Sequence, residues 1–360
     1  MDLSTYLRGL ENNGSLALIR DNPAAQFGTP QQPYLGATLL PERLQPNNIY
    51  KEANIRYRTV VANAGTRYSP VQLKSTGRLV GEFMVDLSNS DIGLEMDSND
   101  YDAILQYLGR NGNMEQVANT VMNLADNAIA GLAMHNERMR WQALVNASVV
   151  LTGDNAYAET VPYSNPTGHR VATAGVWTTD TYDPYQDILE RQTFLAGKGY
   201  RVARIITSTR VANILGGNEQ MARRFAPIAR TLGTNTYLGR LTPAAISGGM
   251  TIDGLPPIEI YDAIWFDQLG NGRFLPDNVM VFTAVTDRAE NVPTMNGDMY
   301  LPNLVGYTGI GRPVGQLNPG RVLQTKFQDE KPPTVKVAAW QTSLPVITDP
   351  ESVAVLTGIA

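Results

Sequence analysis

The chain has 360 residues, 43% of them hydrophobic and 18% charged, so it is longer than one core supports and is expected to fold as two or three packed units. Its net charge of −5 gives no long-range field to gather nucleic acid, because non-specific binding rests on many phosphate contacts by Lys and Arg. The absence of cysteine excludes a disulfide framework, thiolate catalysis and any Cys-ligated metal site.

No apolar run approaches the roughly 18 residues that span a bilayer. The start, Met1-Asp2-Leu3-Ser4-Thr5-Tyr6, lacks the basic and apolar regions of a signal peptide, and a cytosolic setting is expected. Six Lys stand against twenty-three Arg, and the planar Arg fork suits bidentate pairing at interfaces; a GC-rich genome would give the same ratio.

Residues 1–48 are rich in Asn, Gln, Pro and Gly and show no sustained period beyond a short helical pattern at 3–10. Such a segment cannot build its own core, so it reads as an arm that docks elsewhere through Leu16, Leu18, Ile19, Leu39 and Leu40. Residues 49–96 alternate: Ile55, Tyr57, Thr59 and Val61 precede a polar loop, and Leu79, Gly81, Phe83, Val85 and Leu87 follow it. Period two on both sides of a loop predicts paired strands. A two-stranded ribbon is marginal alone in water, so it must lean on another element or another subunit.

Asp97-Ser98-Asn99-Asp100 signals a cap before a short helix at 101–110, broken at Asn111-Gly112-Asn113. The strongest helical pattern runs from 114 to about 150. Val117, Val121, Ala125, Ala128 and Leu132 mark its packed face, with Met139, Ala143 and Leu144 extending the spacing. At 1.5 Å per residue it would be on the order of 50 Å long. A polar connector is expected over 152–181. A compact α/β region follows: a helix from Pro184 to Ala196, a turn at Lys198-Gly199-Tyr200, a strand from Val202 to Thr207, and a helix capped by Ser208 or Thr209 that reaches Leu215. Strands at 258–261 and 279–283 complete a small mixed sheet. Turns are expected over 292–333 and a final strand over 334–340.

Catalytic signals are missing. His135 and His169 are the only histidines, and His135-Asn136-Glu137 lacks the Cys pair that a zinc deaminase requires. There is no phosphate-binding G-x-x-x-x-G-K-[ST] and no G-x-S-x-G. Gly306-Tyr307-Thr308-Gly309-Ile310-Gly311 reads as a bent strand. The carboxylates Asp97, Asp100 and Asp102, and the pair Asp180 and Asp183, lack calcium-loop spacing and are explained by helix capping. Asp329-Glu330-Lys331 reads as a solvated turn. No catalytic, cofactor-binding or metal residue is expected.

Several segments carry a family resemblance. Phe274-Leu275-Pro276-Asp277-Asn278 runs into the apolar Val279-Met280-Val281-Phe282. Ser343-Leu344-Pro345-Val346 is followed by Asp349-Pro350-Glu351, and upstream stand Tyr182-Asp183-Pro184, Asp187-Ile188 and Ile205-Ile206. In this order they resemble the major capsid proteins of phage lambda and its relatives, the capsid protein E family. The segment from Ala64 to Pro70, followed by Lys74, is loosely similar to that family's loop.

The resemblance implies an α+β, Hong Kong 97-like capsid fold. Its parts would be an N-terminal arm (1–48), an extended β-hairpin loop over a neighbour (49–96), a peripheral domain with a spine helix (97–181), an axial domain (182–300) and a C-terminal return to the peripheral domain (301–360). The implied function is that of an icosahedral shell subunit in a tailed double-stranded DNA phage, without enzymatic activity. Its partners would be pentamers and hexamers of itself, a portal, a separate scaffolding protein and a decoration protein. A same-fold nanocompartment shell and a hydrolase on residues 182–290 are the alternatives. Lys74 on the loop raises covalent cross-linking to a neighbour as a further option.

Overall fold

The computed structural model describes residues 16–19, 28–29, 32–46, 48–57, 78–96, 99, 102–103, 106, 114–152, 158–231, 241–267, 270–286, 305–328 and 334–360. The expected helix at 3–10, most of the one at 101–110, the loop tip with Lys74, and Asp97, Asp100 and 329–331 lie outside these residues. The arm contributes β1 (Leu16–Ile19), the short pair β2 (Gly28–Thr29) and β3 (Gln32–Pro33), one helical turn α1 (Gly36–Leu39), and β4 (Glu42–Leu44). Leu39 and Leu40 are buried, so the docking expected of these two anchors is met on the chain's own body.

The period-two pattern becomes a ribbon. β5 (Ile49–Tyr57) and β6 (Arg78–Asp86) pair antiparallel from Ile49 opposite Asp86 to Tyr57 opposite Arg78, and among the described residues they form a sheet with no further strand. The pattern beyond Leu87 was expected to belong to the ribbon. Instead β7 (Ser88–Met96) leaves it and pairs along a different strand. Its Ile92 and Leu94 pack toward a helix, which accounts for the switch.

The spine helix α2 (Met114–Asn146) is shorter than expected. Ala147 turns to φ 51°, and the β-branched run of β8 (Ser148–Thr152) continues as a strand. The expected connector is also more ordered than a loop, since β9 (Ala158–Pro162) pairs with β8 and β10 (Arg170–Ala172) joins a sheet. Helix α3 (Pro184–Gly197) is capped by Asp183, whose carboxylate accepts from the Tyr185 amide. Strand β11 (Tyr200–Thr207) leads to α4 (Thr209–Gly217), with Ser208 as its cap.

Two helices had no sequence expectation, α5 (Glu219–Thr231) and α6 (Pro243–Ile252). After them come β12 (Ile258–Ile260), the hairpin β13 (Ile264–Asp267) and β14 (Gly270–Arg273), and β15 (Met280–Thr286). The bent strand expected at Gly306–Gly311 is β16 (Gly306–Ile310), and the surrounding region, expected to be turns, also holds β17 (Arg321–Gln328). Strand β18 (Thr334–Ile347) outruns the expected end at Trp340, and β19 (Val353–Thr357) follows a single turn capped by Asp349.

Two larger sheets organise these elements. The first runs β1-β17-β18-β16-β4, with β7 along β18. Ala128 and Leu132 of the spine helix lie on its inner face against Val337, Ala339, Ile92 and Leu94. Ala125, Ala128 and Leu132 therefore sit on the expected face, while the Val117 and Val121 side chains lie outside the described residues. The second sheet runs β10-β19-β15-β11-β12 and is mixed, with β11–β15 antiparallel and β11–β12 parallel.

The central strands of the second sheet are covered on both faces, which is why they read as unbroken apolar runs. Ile205, Phe282 and Leu356 meet Tyr185, Ile188, Leu215 and Phe225 on the helical side. Ile206, Val281 and Val355 meet Trp141, Leu144 and Tyr261 on the other. The C-terminal tail thus ends in this second sheet, where β19 pairs with β15.

Candidate functional site: a buried junction of arm, spine helix and sheets

The C-terminal half of α2 is buried on nearly every side, and it carries charge. Glu137 and Arg140 are fully buried, as is Asn136. A lone buried charge is strongly unfavourable, so each must be paired and hydrogen-bonded. Glu137 Oε1 accepts from the Gly36 amide (2.7 Å), Trp141 Nε1 (2.8 Å) and the Tyr261 hydroxyl (2.7 Å), while Oε2 accepts from Arg140 at 3.3 Å. Trp141 also stacks on Tyr261 with ring centres 5.0 Å apart.

Arg140 spends its other nitrogens on Thr308 Oγ1 (2.8 Å) and Glu42 Oε1 (3.0 Å). Arg321 from β17 donates to both Glu42 oxygens at 2.6 Å and to Gln341 Oε1 at 2.7 Å. Asn136 donates to Glu42 and accepts from Gln341 and Ser343. Two carboxylates and two guanidinium groups form a buried, formally neutral quartet that joins the arm, the spine helix, β17, β18 and the residue after β12. Burial alone would raise the Glu42 carboxyl. The Arg321 and Arg140 cations, with the bonds from Arg321 and Asn136, outweigh it and hold Glu42 below the ordinary carboxylate range. Burial raises the Tyr34 hydroxyl to about 12, aided by the Glu137 charge.

A second junction anchors the ribbon. The Leu87 amide donates to the Asn48 carbonyl (2.9 Å), and the Asn48 side chain both accepts from the Arg312 amide (2.6 Å) and donates to its carbonyl (3.0 Å).

The residues weighed for chemistry are dispersed. His169 is fully buried; its Nδ1 faces the Val353 carbonyl at 2.8 Å and its Nε2 lies 2.7 Å from Lys198 Nζ. Desolvation lowers its pKa, and the Lys198 cation works in the same direction. His135 is pushed down to about 4 by burial, with Arg138 adding to the effect. Asp102 and Asp180 are exposed, and Asp183 caps α3 and pairs with Arg224 at 3.3 Å. Among the described residues no group of three or more His, Cys, Asp or Glu could hold a metal ion, and no helix is long and apolar enough to cross a membrane. The arrangement has the character of a structural hub, with every carboxylate of the quartet held by donors.

Sequence reasoning missed Glu42, Arg321 and Tyr261 because the bonds that tie them to Asn136, Glu137 and one another span 94 to 279 residues. Only Glu137 and Arg140, one turn apart on the same helix, left a local trace.

A model of the family described as phage major capsid protein E matches residues 52–308. The chain belongs to this family. It is accordingly a structural protein of the bacteriophage capsid. No curated protein matches it in sequence. Among solved structures it is similar to a prophage protein of E. coli CFT073 described as its capsid protein, at 13% identity and a TM-score of 0.57, over 99% of this chain and 98% of that one. It is also similar to a phage-related protein of Bordetella bronchiseptica RB50, at 13% identity and a TM-score of 0.51, over 95% of this chain and 98% of the other. At such identity the likeness concerns the fold. It extends through the arm and the C-terminal strands that lie outside the matched segment.

Proposed function

We propose that the chain self-assembles, as pentamers and hexamers, into the icosahedral head of a tailed double-stranded DNA bacteriophage. The observation that carries this reading is membership of the capsid protein E family over residues 52–308. The Hong Kong 97-like division is part of the proposal: an arm over 1–48, an extended loop over 49–96, a peripheral domain on the spine helix, an axial domain over 182–300, and a C-terminal return over 301–360 that ends by handing β19 to the axial sheet. Self-assembly is supported by the ribbon, which among the described residues is a two-stranded sheet with no third strand to lean on. Many weak repeated contacts made by such a ribbon convert individual subunits into a stable closed shell.

The partners that go with this reading are a portal, a separate scaffolding protein and a decoration protein, with assembly in the bacterial cytoplasm. The shell encloses DNA without sequence recognition, in keeping with a net charge of −5. Catalysis has no part in it, and neither does a cofactor or a bound metal. A same-fold nanocompartment would also assemble and would differ in holding protein cargo.

The test is co-expression with the scaffolding protein, followed by negative-stain microscopy. Closed shells with pentameric and hexameric units are expected, and a strictly monomeric or dimeric species under all conditions would refute the reading.

A further inference from the structure

His169 and Arg170 are neighbours in sequence that fasten the chain in two directions. Arg170, at the start of β10, donates from Nε to the Val145 carbonyl and from a terminal nitrogen to the Leu144 carbonyl, both at 2.8 Å, and so staples itself to the end of the spine helix. His169 reaches the other way. Its carbonyl accepts from the Val355 amide at 2.7 Å, and its Nδ1 lies 2.8 Å from the Val353 carbonyl, so backbone and side chain together clasp the start of β19. β10 pairs with β19 over only three residues and, among the described residues, with no other strand, which makes the clasp a large share of what holds this edge.

The ring has no spare hydrogen-bonding position. It is fully buried, with Phe194 edge-on at 4.9 Å. A carbonyl oxygen can only accept, so Nδ1 carries the proton that meets Val353. Nε2 then holds the lone pair and accepts from the Lys198 ammonium, 2.7 Å away at the C-cap of α3. A second proton, on Nε2, would set two donors head to head with no acceptor between them. The bond to Val353 would survive, but a buried and unpaired Nε2–H is satisfied only by water, and water reaches it only if the edge at β10 opens.

The surrounding charges do not favour the cation. From α3 come Lys198 and Arg191, the latter over the Phe194 ring at 5.2 Å and 3.9 Å from the exposed Glu190. Arg170 comes from β10, and Glu351 from the turn before β19. Burial, then the Lys198 and Arg170 cations, disfavour the charged ring, whereas the Val353 carbonyl and Glu351 favour it, and the balance lies below the ordinary 6.5. Lys198 is exposed, so it is the partner that swings into water.

We infer that His169 and Lys198 form an acid-operated latch: the neutral ring ties the crossover from β18 into β19 to β10 and, through Arg170, to the spine helix, and uptake of a proton expels Lys198 and frees this joint. The folded ring takes its proton less readily than an exposed one, so the closed latch is fully stabilised above about pH 6.5 and weakens as pH falls from there to the midpoint of the folded ring.

The test uses ¹⁵N-histidine spectra of the full-length unassembled subunit, with His135→Gln leaving His169 as the sole imidazole. At neutral pH the ring should be the neutral Nδ1–H tautomer, and an Nε2–H tautomer or a ring already charged would overturn the latch. Lys198→Met should raise the ring's midpoint, and an unmoved midpoint would count against the contact. Amide exchange, taken as protection relative to the intrinsic rate, reads the opening. At the Val355 and Thr173 amides the opening constant should rise about tenfold per pH unit from about 6.5 down to the midpoint and then level off, while the amides of β11 stay unchanged. Opening that does not depend on pH would refute the latch. His169→Gln offers an amide donor to Val353 and a carbonyl acceptor to Lys198 without titrating, so the pH dependence should vanish there, and its persistence would place the switch elsewhere. The spectra and the Lys198→Met shift stand even if that variant fails to fold. None of these readings requires assembly, so they judge the latch separately from the shell.

Discussion

Replacing Glu42 by Gln removes one of the four charges of the buried quartet and leaves its shape almost unchanged. In the native junction Glu42 accepts from Arg321 at 2.6 Å, Arg140 at 3.0 Å and Asn136 at 3.1 Å, and its side chain is 4% exposed. The variant keeps one acceptor oxygen but turns an amide toward Arg321, and two guanidinium groups then share the single carboxylate of Glu137. Breaking a buried pair from one side costs about 3–5 kcal/mol. That is a large part of the roughly 5–15 kcal/mol that holds a typical domain.

The control is Glu219→Gln, which removes an exposed pair one helical turn from Arg223 (52% and 67% exposed) and should cost no more than about 0.5 kcal/mol. Urea unfolding of the unassembled subunit, followed by Trp fluorescence, measures both. Trp141 reports the site directly through its bond to Glu137. Adding Arg321→Gln to Glu42→Gln should cost less than the sum of the two single changes, because the remaining Glu137–Arg140 pair is neutral on its own. Equal costs for Glu42→Gln and Glu219→Gln, or simple additivity at the junction, would refute the quartet as a coupled unit.

Other outcomes follow from the same contacts. Gly36→Ala would place a methyl 2.7 to 2.9 Å from the Glu137 carboxylate and should loosen the arm, seen as faster amide exchange over 34–45, whereas Gly217→Ala meets open space and should not. Leu132→Ala on the packed face of the spine helix should cost about 2–5 kcal/mol in urea unfolding, whereas Asn127→Ala on its exposed side should be near neutral. The folded-state pKa of His135 lies near 4, below its unfolded value, so the unfolded chain binds the extra proton first and stability should fall as pH drops from about 6.5 toward 4. His135→Gln should flatten that part of a melting-temperature profile. Replacing 64–77 by a short Gly/Ser turn should leave the 182–290 unit folded by circular dichroism while shells are lost on size-exclusion chromatography.

How much was legible in the sequence depended on the range of the interaction. The ribbon strands, the spine helix and the Asp183 and Ser208 caps are written in neighbours two to four residues apart, and the pattern found them. The overestimate of the spine helix has a local cause too, since Val149 and Val150 fit a helical count and only the backbone turn at Ala147 reveals the strand. The strands β9, β10 and β17 were read as connector and turns because each sits among Pro, Gly and polar residues. Their partners, β8, β19 and β18, supply the reason they are strands at all. Gly306 illustrates this: its alpha carbon passes so close to β18 that a Cβ would lie 2.0 Å from the Val346 carbonyl oxygen, a requirement visible only once the two strands are side by side.

The Phe274–Asn278 run shows why a short motif can stand for a whole fold. Phe274 and Leu275 are buried in the core that the spine helix shares with the second sheet, and Tyr34 of the arm meets the Phe274 ring edge-on at 5.6 Å. The Asp277 carbonyl accepts from Ser208, the cap of α4, at 2.7 Å, and the Asn278 carbonyl accepts from the Ile359 amide at the end of the chain at 3.1 Å. Five consecutive residues thus touch the arm, the start of a helix and the C-terminus before handing the chain to β15. A substitution there would disturb contacts with segments far apart in sequence, while a change in an exposed turn would disturb one. Motifs of this kind carry fold information because many distant constraints converge on them. The quartet is equally constrained, yet its charges are scattered over 279 positions and leave no contiguous word to read.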